Sequence, residues 1–330
     1  MAHHSLLFQT ARYTSTIQTF RSGYDTIDSI FDRVIVMTEA RPVVKWPGGK
    51  GQLLDRLEPL FPRKFNRYIE PFAGAGAVFF RLHNLGLIGA NPRLRKSPAI
   101  LNDLNGELMN VYHVVRDRVD DLIEELARHQ AHIGDEAYYY YIRHLDREAD
   151  FRQASPVTHA ARTIFLNKTG YNGLYRVNAG GLFNVPFGQH LKPTVLDQPL
   201  LHVVSRALQR VELMCSDFAQ PLRQARQHDF VYIDPPYQPL SRTANFVAYT
   251  AGGFGWDQQA RLAEWIGRLA KRGCYVLINN ADTPEIKALY EATFKARSLD
   301  FKMQSFETTR SINRDPTQRR GAQELTVWNY

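Results

Sequence analysis

A chain of 330 residues with 44% hydrophobic and 22% charged residues is composed like a globular protein, long enough for one large α/β domain with or without a smaller insert. No run approaches the roughly eighteen apolar residues of a membrane span, the first residues lack a secretory leader pattern, and Cys215 and Cys274 form neither a metal spacing nor a disulfide framework, so a reducing cytoplasm is expected. The net charge of +8 admits a polyanionic partner without requiring one.

Residues 1–40 show no sustained hydrophobic period and no motif tied to chemistry, and the domain proper is expected to begin near Met37. The first informative stretch is Lys45-Trp46-Pro47-Gly48-Gly49-Lys50. Its Gly-Gly-Lys suggests a phosphate loop, but the first glycine and the Ser/Thr after the lysine are missing, which rejects a nucleoside-triphosphatase. Tyr68 to Ala73 reads as a short buried strand entering the turn Gly74-Ala75-Gly76, with a helix from Val78 to Asn84. Glycines there let the backbone approach a nucleoside-bearing ligand closely. Ser97 to Asp103 repeats the strand pattern after an exposed loop, Asn91 to Lys96, and ends on a carboxylate suited to ribose hydroxyls.

Asn105 to His129 and Glu136 to Arg147 have helical periods, and Ser155-Pro156 marks another helix start, with serine as N-cap. Between Phe151 and Leu196 there are basic residues (Arg152, Arg162, Lys168, Arg176, Lys192) and no acidic one. Phe151, Phe165, Tyr171, Tyr175, Phe183 and Phe187 are interleaved with them. Such a stretch can pair with phosphates and stack on bases, and it can equally be a solvated basic face over an aromatic core. Asn178-Ala179-Gly180-Gly181 reads as a hairpin turn. Residues 104–198 are therefore expected to be a helical insert carrying a β-hairpin.

The α/β pattern then resumes. Strands are expected at Val211 to Cys215, Phe230 to Asp234, Tyr275 to Asn279, Ala296 to Phe301 and Glu324 to Trp328, with an amphipathic helix from Gln258 to Lys271. They would complete a doubly wound, mostly parallel sheet. The sharpest signal is Asp234-Pro235-Pro236-Tyr237 at the end of an apolar strand, where ligands bind in open α/β sheets. An ionised Asp234 and the Pro235 carbonyl are acceptors only, and the prolines stiffen the loop. Together they suit holding an exocyclic amine, whose lone pair is turned out of conjugation while Tyr237 stacks on the base. Asp217, followed by Phe218 after another strand, could read an adenine amine while the phenyl packs on the ring.

In their order along the chain, these motifs resemble the Dam-type (D12-class) DNA adenine-N6 methyltransferases, from about Arg41 to Tyr330. The resemblance rests on Lys45 to Lys50, Glu70-Pro71-Phe72-Ala73-Gly74-Ala75-Gly76, Ile100 to Asn105, Gly170 to Arg176, Phe183 to Gly188, Asp234 to Tyr237, Thr243 to Phe246 and Arg310 to Asn313. It implies a Rossmann-like, class I S-adenosylmethionine-dependent methyltransferase sheet (41–103 and 199–330) with an inserted DNA-recognition domain (104–198). It also implies double-stranded DNA as partner, no metal, and a monomer. The catalytic loop would be Asp234 to Tyr237. S-adenosylmethionine would meet Trp46, Lys50, Glu70, Phe72, Gly74, Gly76, Asp103, Asp217, Phe218 and Asp234. DNA would meet Lys45, Lys168, Tyr171, Asn172, Leu174, Arg176, Asn184, Pro186, Gln189, His190, Asn245, Arg310 and Asn313. The implied target is GATC or a GAT-containing site. Two positions depart from the Dam pattern: Gln189 stands where an arginine is usual and His190 where a tyrosine is. Cytosine-N4 relatives usually carry serine in place of the aspartate, so Asp234 favours adenine. The alternatives are an RNA adenine methyltransferase, which the hairpin disfavours, and a non-catalytic, cofactor-regulated DNA-binding module, which the intact Asp-Pro-Pro-Tyr disfavours.

Overall fold

The chain divides into two units, Met1–Met37 and Thr38–Tyr330. A computed structural model describes residues 38–88, 98–189, 193–237, 254–308 and 322–330, so the first unit, the loop expected at Asn91 to Lys96, and His190, Asn245, Arg310 and Asn313 lie outside the described residues.

Short apolar runs build the sheet. Strands β1 (Tyr68–Glu70), β2 (Ala99–Asn102), β3 (Glu212–Met214), β4 (Phe230–Ile233), β5 (Tyr275–Ala281), β6 (Lys302–Thr308) and β7 (Ala322–Trp328) form one seven-stranded sheet in the order β3-β2-β1-β4-β5-β7-β6. The pairs among β3, β2, β1, β4 and β5 are parallel, while β7 is antiparallel to both β5 and β6. Residues on alternate faces divide the core in two. Tyr68, Leu101, Phe230, Tyr232 and Leu277 face one side, and Ile69, Ile100, Val231, Ile233 and Ile278 face the other. Both faces are covered, which explains why β1, β2 and β4 read as continuous hydrophobic runs. The strand order reverses between β1 and β4, and a crevice at such a switch point is where open α/β sheets bind ligands.

Among the described residues the helices are α1 (Leu54–Leu57), α2 (Ala77–Asn84), α3 (Gly106–Asp117), α4 (Val119–Gln130), α5 (Glu136–His144), α6 (Pro156–Thr169), α7 (Gln198–Leu208), α8 (Ala219–Gln224), α9 (Trp256–Lys271) and α10 (Pro284–Lys295). Helices α3, α4, α6 and α7 pack on one another and share a core with the sheet face of Tyr68 and Phe230. Ser155 caps α6 as expected, its side chain accepting from the Thr158 amide, with Pro156 in the first turn.

Several expectations are corrected. The single helix expected from Asn105 to His129 breaks at Arg118, which leaves helical geometry (φ −142, ψ 45) with neither glycine nor proline to signal it. The strand expected at Ala296 to Phe301 is instead the end of α10 and a turn through Ser298 (φ 52). That helix starts at the N-cap Thr283 followed by Pro284, and the strand begins only at Lys302. The hairpin does reverse at Asn178, whose side chain accepts from the Gly180 and Leu182 amides. Its arms, however, meet only in isolated bridges, Val177–Phe183 and Gly170–Phe187, rather than a continuous ribbon. The Asn178 and Asn184 amides do bond across, to Leu182 O and Arg176 O, but Asn184 O accepts from the Arg176 side chain and Pro186 has no amide hydrogen to extend the ladder. The basic, aromatic stretch is also largely interior. Phe151, Phe165, Tyr175 and Phe183 are core residues, and buried Arg162 pairs with Asp146; Tyr171 stands out in solvent.

Candidate active site

The ends of β1, β2 and β4 bring three carboxylates to the switch point. Glu70 ends β1 and accepts from the Tyr68 hydroxyl (2.8 Å); burial pushes its carboxyl well above the usual range, the Tyr68 hydrogen bond opposes this, and the nearby charges of Asp234 and Asp103 add to it. Asp103, one residue beyond β2, accepts from the Gly74 amide through Oδ2 (3.0 Å) and from the Asn105 amide through Oδ1 (2.9 Å). Burial raises its pKa, and these backbone donors offset part of the rise.

Gly74 takes a left-handed backbone (φ +47), and a Cβ there would stand 3.1 Å from the Trp46 ring. Trp46 in turn stacks on Tyr175 at 4.9 Å. On the other side of the turn Phe72 packs against Phe218 (5.3 Å) and edge-on to Phe254 (5.5 Å). The turn thus forms a glycine cradle between aromatic faces, with a carboxylate at its floor.

Asp234 follows β4 directly. Its Oδ2 lies 2.8 Å from Lys50 Nζ, whereas Oδ1 is buried with no hydrogen-bond partner among the described residues. Burial pushes the carboxyl up to about 6; the Lys50 ammonium opposes the shift and Glu324 reinforces it. Lys50, only 4% exposed, also donates to Gly48 O (2.9 Å) and lies 3.5 Å from Glu324. The Tyr237 hydroxyl donates to Glu324 (2.9 Å), and Lys50 lies 5.0 Å from that ring's centre. Pro235 is buried and Pro236 exposed. The Pro236 carbonyl accepts from Gln259 (3.2 Å), which is fully buried and bonded to Asn280, itself bonded to Tyr290.

The remaining expected site residues are distributed as follows. Asp217 does not face the cradle alone, because both its oxygens are engaged by Arg261 (2.5 and 2.8 Å), which lies over the Phe218 ring. Gly76 is walled by the Tyr112 hydroxyl, which donates to Gly74 O. Lys45 is exposed beside Gly173. Lys168 is half-buried near Lys45 and Arg41; burial first, and these like charges next, lower its pKa. Asn172 is exposed with a left-handed backbone (φ 55), and the Tyr171 amide donates to Pro186 O. Leu174 is half-buried against the core, while Pro186 and Gln189 are exposed. Arg176 donates to Asn184, from Nε to Oδ1 (2.7 Å) and from Nη2 to the carbonyl (3.0 Å).

Three contributors were not visible in the sequence. Asn167 is buried and joins the Lys45 backbone to Gly173 O, fastening the two loops together. Gln259 sits mid-helix with no local signal. Glu324 carried one usable sign, an acid entering an apolar strand.

The ends of β1, β2 and β4 thus gather a glycine turn, three carboxylates and a proline-stiffened loop at the switch point of a mixed seven-stranded sheet. The chain belongs to the D12 class N6 adenine-specific DNA methyltransferases, whose family model matches residues 46–312. It is 37% identical to the type II methyltransferase M1.LlaDCHI of Lactococcus lactis subsp. cremoris, over 88% of this chain and 95% of that one. It is also 37% identical to the type II methyltransferase M.MjaIII of Methanocaldococcus jannaschii, over 88% of this chain and all of that one, and 35% identical to the DNA adenine methylase of Escherichia coli (strain K12), over 88% and 95%. It is accordingly an adenine-specific DNA methyltransferase. Among the described residues no helix is long and apolar enough to cross a membrane, and no cluster of potential metal ligands occurs.

Proposed function

We propose that the protein transfers the methyl group of S-adenosylmethionine to N6 of an adenine flipped out of duplex DNA, in GATC or a GAT-containing site. The observation that carries this reading is the Asp234 carboxylate: one oxygen is fixed by Lys50, and the other is a buried acceptor without a donor of its own, beside Tyr237. An amine is the donor that suits it. The cofactor, when bound, supplies an electrophilic methyl on a sulfonium. The Gly74 cradle, Trp46, Phe72, Phe218 and the Asp103 carboxylate fit its adenosine, with Asp103 retaining lone pairs for ribose hydroxyls beside its bonds to Gly74 and Asn105.

An adenine amine is committed to pairing within a duplex, so the base must leave the stack. Tyr237 then stacks on it, while Asp234 Oδ1 and the Pro235 carbonyl accept its N–H bonds and aim the nitrogen lone pair. With the cofactor held there, transfer would be an in-line displacement in which N6 gains the methyl, the C–S electron pair leaves with sulfur, and one N6 proton is then lost to solvent. Asp234 stabilises the amine as it becomes cationic. Asp103→Ala is expected to weaken cofactor binding about ten- to a hundredfold, the loss of hydrogen bonds to a charged group. Titration calorimetry with the cofactor checks this, and an unchanged affinity removes Asp103 from the site.

Residues 104–198 are proposed as the target-recognition domain. Arg176 supports this: among the described residues its guanidinium bonds to Asn184 through Nε and Nη2, and the Nη1 edge fits the O6 and N7 of a guanine. Leu174 and Pro186 offer apolar contact to a thymine methyl, and Tyr171 with Asn172 can fill the gap left by the flipped base. Lys45 and Lys168 supply positive charge nearby. Methylation of GATC and of each single-base variant, with the parent and with Arg176→Ala, tests the reading. The expected result is a loss of about 1–3 kcal/mol of discrimination at one base pair. A uniform loss across sites would assign Arg176 to a phosphate, and a preferred site lacking GAT would end the specificity claim.

A further inference from the structure

The site contains a buried acid that the mechanism above does not use. Glu324 lies on β7, opposite Ala281 of the antiparallel neighbour β5. The start of β7 therefore reaches the end of the sheet where the parallel strands finish. Its side chain, 18% exposed, accepts from the Tyr237 hydroxyl at 2.9 Å and stands 3.5 Å from Lys50 Nζ, which contacts Asp234 at 2.8 Å. One ammonium is thus shared by two carboxylates, and one of those carboxylates also holds the aromatic ring.

We propose that Glu324 is a positioning residue for methyl transfer, fixing the Tyr237 ring through its hydroxyl and, by competing for Lys50, keeping the Asp234 carboxylate a strong acceptor. The inference rests on the roles given above to Asp234 and Tyr237. The groups facing Asp234 among the described residues are Lys50, Glu324, Tyr237, Tyr232 and Glu70. Burial pushes both tyrosines and Glu70 up, against their charged forms, and Lys50 and Glu324 are the groups whose charges oppose one another at Asp234. Lys50 lowers its pKa and Glu324 raises it. A more basic carboxylate accepts the amine hydrogen more strongly and better stabilises the cation that forms.

Single-turnover transfer of a tritiated methyl to duplex DNA, measured across pH, tests this with Glu324→Gln, Glu324→Ala, Tyr237→Phe and the Glu324→Ala/Tyr237→Phe double variant. Glu324→Gln keeps an acceptor for the tyrosine but removes the charge, so the acidic limb of the rate profile should move to lower pH. Glu324→Ala should lower the rate about ten- to a hundredfold, the worth of a hydrogen bond to a charged group, with KM for DNA little changed. In that background Tyr237→Phe should cost little more, because both changes break one contact. An unmoved limb in Glu324→Gln, an unchanged rate in Glu324→Ala, or additive losses in the double variant would overturn the proposal. Asp234→Ala separates the two levels: turnover by that variant defeats the reading of the site itself. An inactive Asp234→Ala beside Glu324 variants that match the parent defeats only the role of Glu324.

Discussion

Asp234→Ala is expected to lower methyl transfer by about a thousandfold or more, since it removes the preorganised group facing the charge that develops on N6. DNA affinity should change little, because most of the binding comes from phosphate and groove contacts rather than from the single flipped base. Single-turnover transfer and equilibrium DNA binding on the same preparation check both halves, and retained turnover would sink the mechanism. The parent has a pH signature of the same group. The acceptor is the ionised carboxylate, and burial pushes it up to about 6, so kcat/KM should fall as pH drops through about 6. The stability linkage has the opposite sign. A carboxyl raised above its unfolded value binds its proton more tightly in the folded state, so its contribution to stability is greatest below the unfolded pKa and declines as pH rises to about 6. Acid that favours this part of the fold therefore switches the chemistry off.

Lys50→Met is expected to act on both fold and rate. The ammonium is 4% exposed and contacts Asp234, Glu324 and the Gly48 carbonyl. Removing one partner of a buried ion pair typically costs about 3–5 kcal/mol, because the charge left behind has lost its compensation. Urea unfolding should show a lower midpoint at unchanged slope. Lys50 also lowers the Asp234 pKa, so its loss should move the acidic limb of the rate profile to higher pH, with activity partly regained at alkaline pH. A variant as stable as the parent with an unmoved limb would show that Lys50 controls neither the fold nor Asp234.

The sequence makes the local parts of this centre legible. Phe230 to Ile233 is an unbroken apolar run, and the residues after it identify the loop by themselves. The same holds for Tyr68 to Gly76 and for the cap at Ser155. What stayed hidden depends on partners remote in the chain. Lys50 is placed in the cofactor site by resemblance, but its pairing with Asp234 and Glu324 is written nowhere in the local sequence. Gln259 is one polar residue in an amphipathic helix until it meets the Pro236 carbonyl and Asn280. Asp217 reads as free to meet a ligand, yet Arg261 from α9 takes both its oxygens. The bridged, rather than laddered, hairpin is a further case, because the Arg176 side chain takes the Asn184 carbonyl that a ladder would use.

The order β5-β7-β6 also sets a sequence of events during synthesis. β7 lies between β5 and β6 although it leaves the ribosome after both. Until it arrives, β5 presents the apolar edge of Val276, Leu277 and Ile278 with unpaired backbone groups, and β6 has no neighbour to join. Because Glu324 travels with β7, a nascent chain can assemble the cradle and the Asp-Pro-Pro-Tyr loop yet lack the acid that fastens Tyr237. The contact that fastens Tyr237 therefore forms in the same step that covers the open edge of β5.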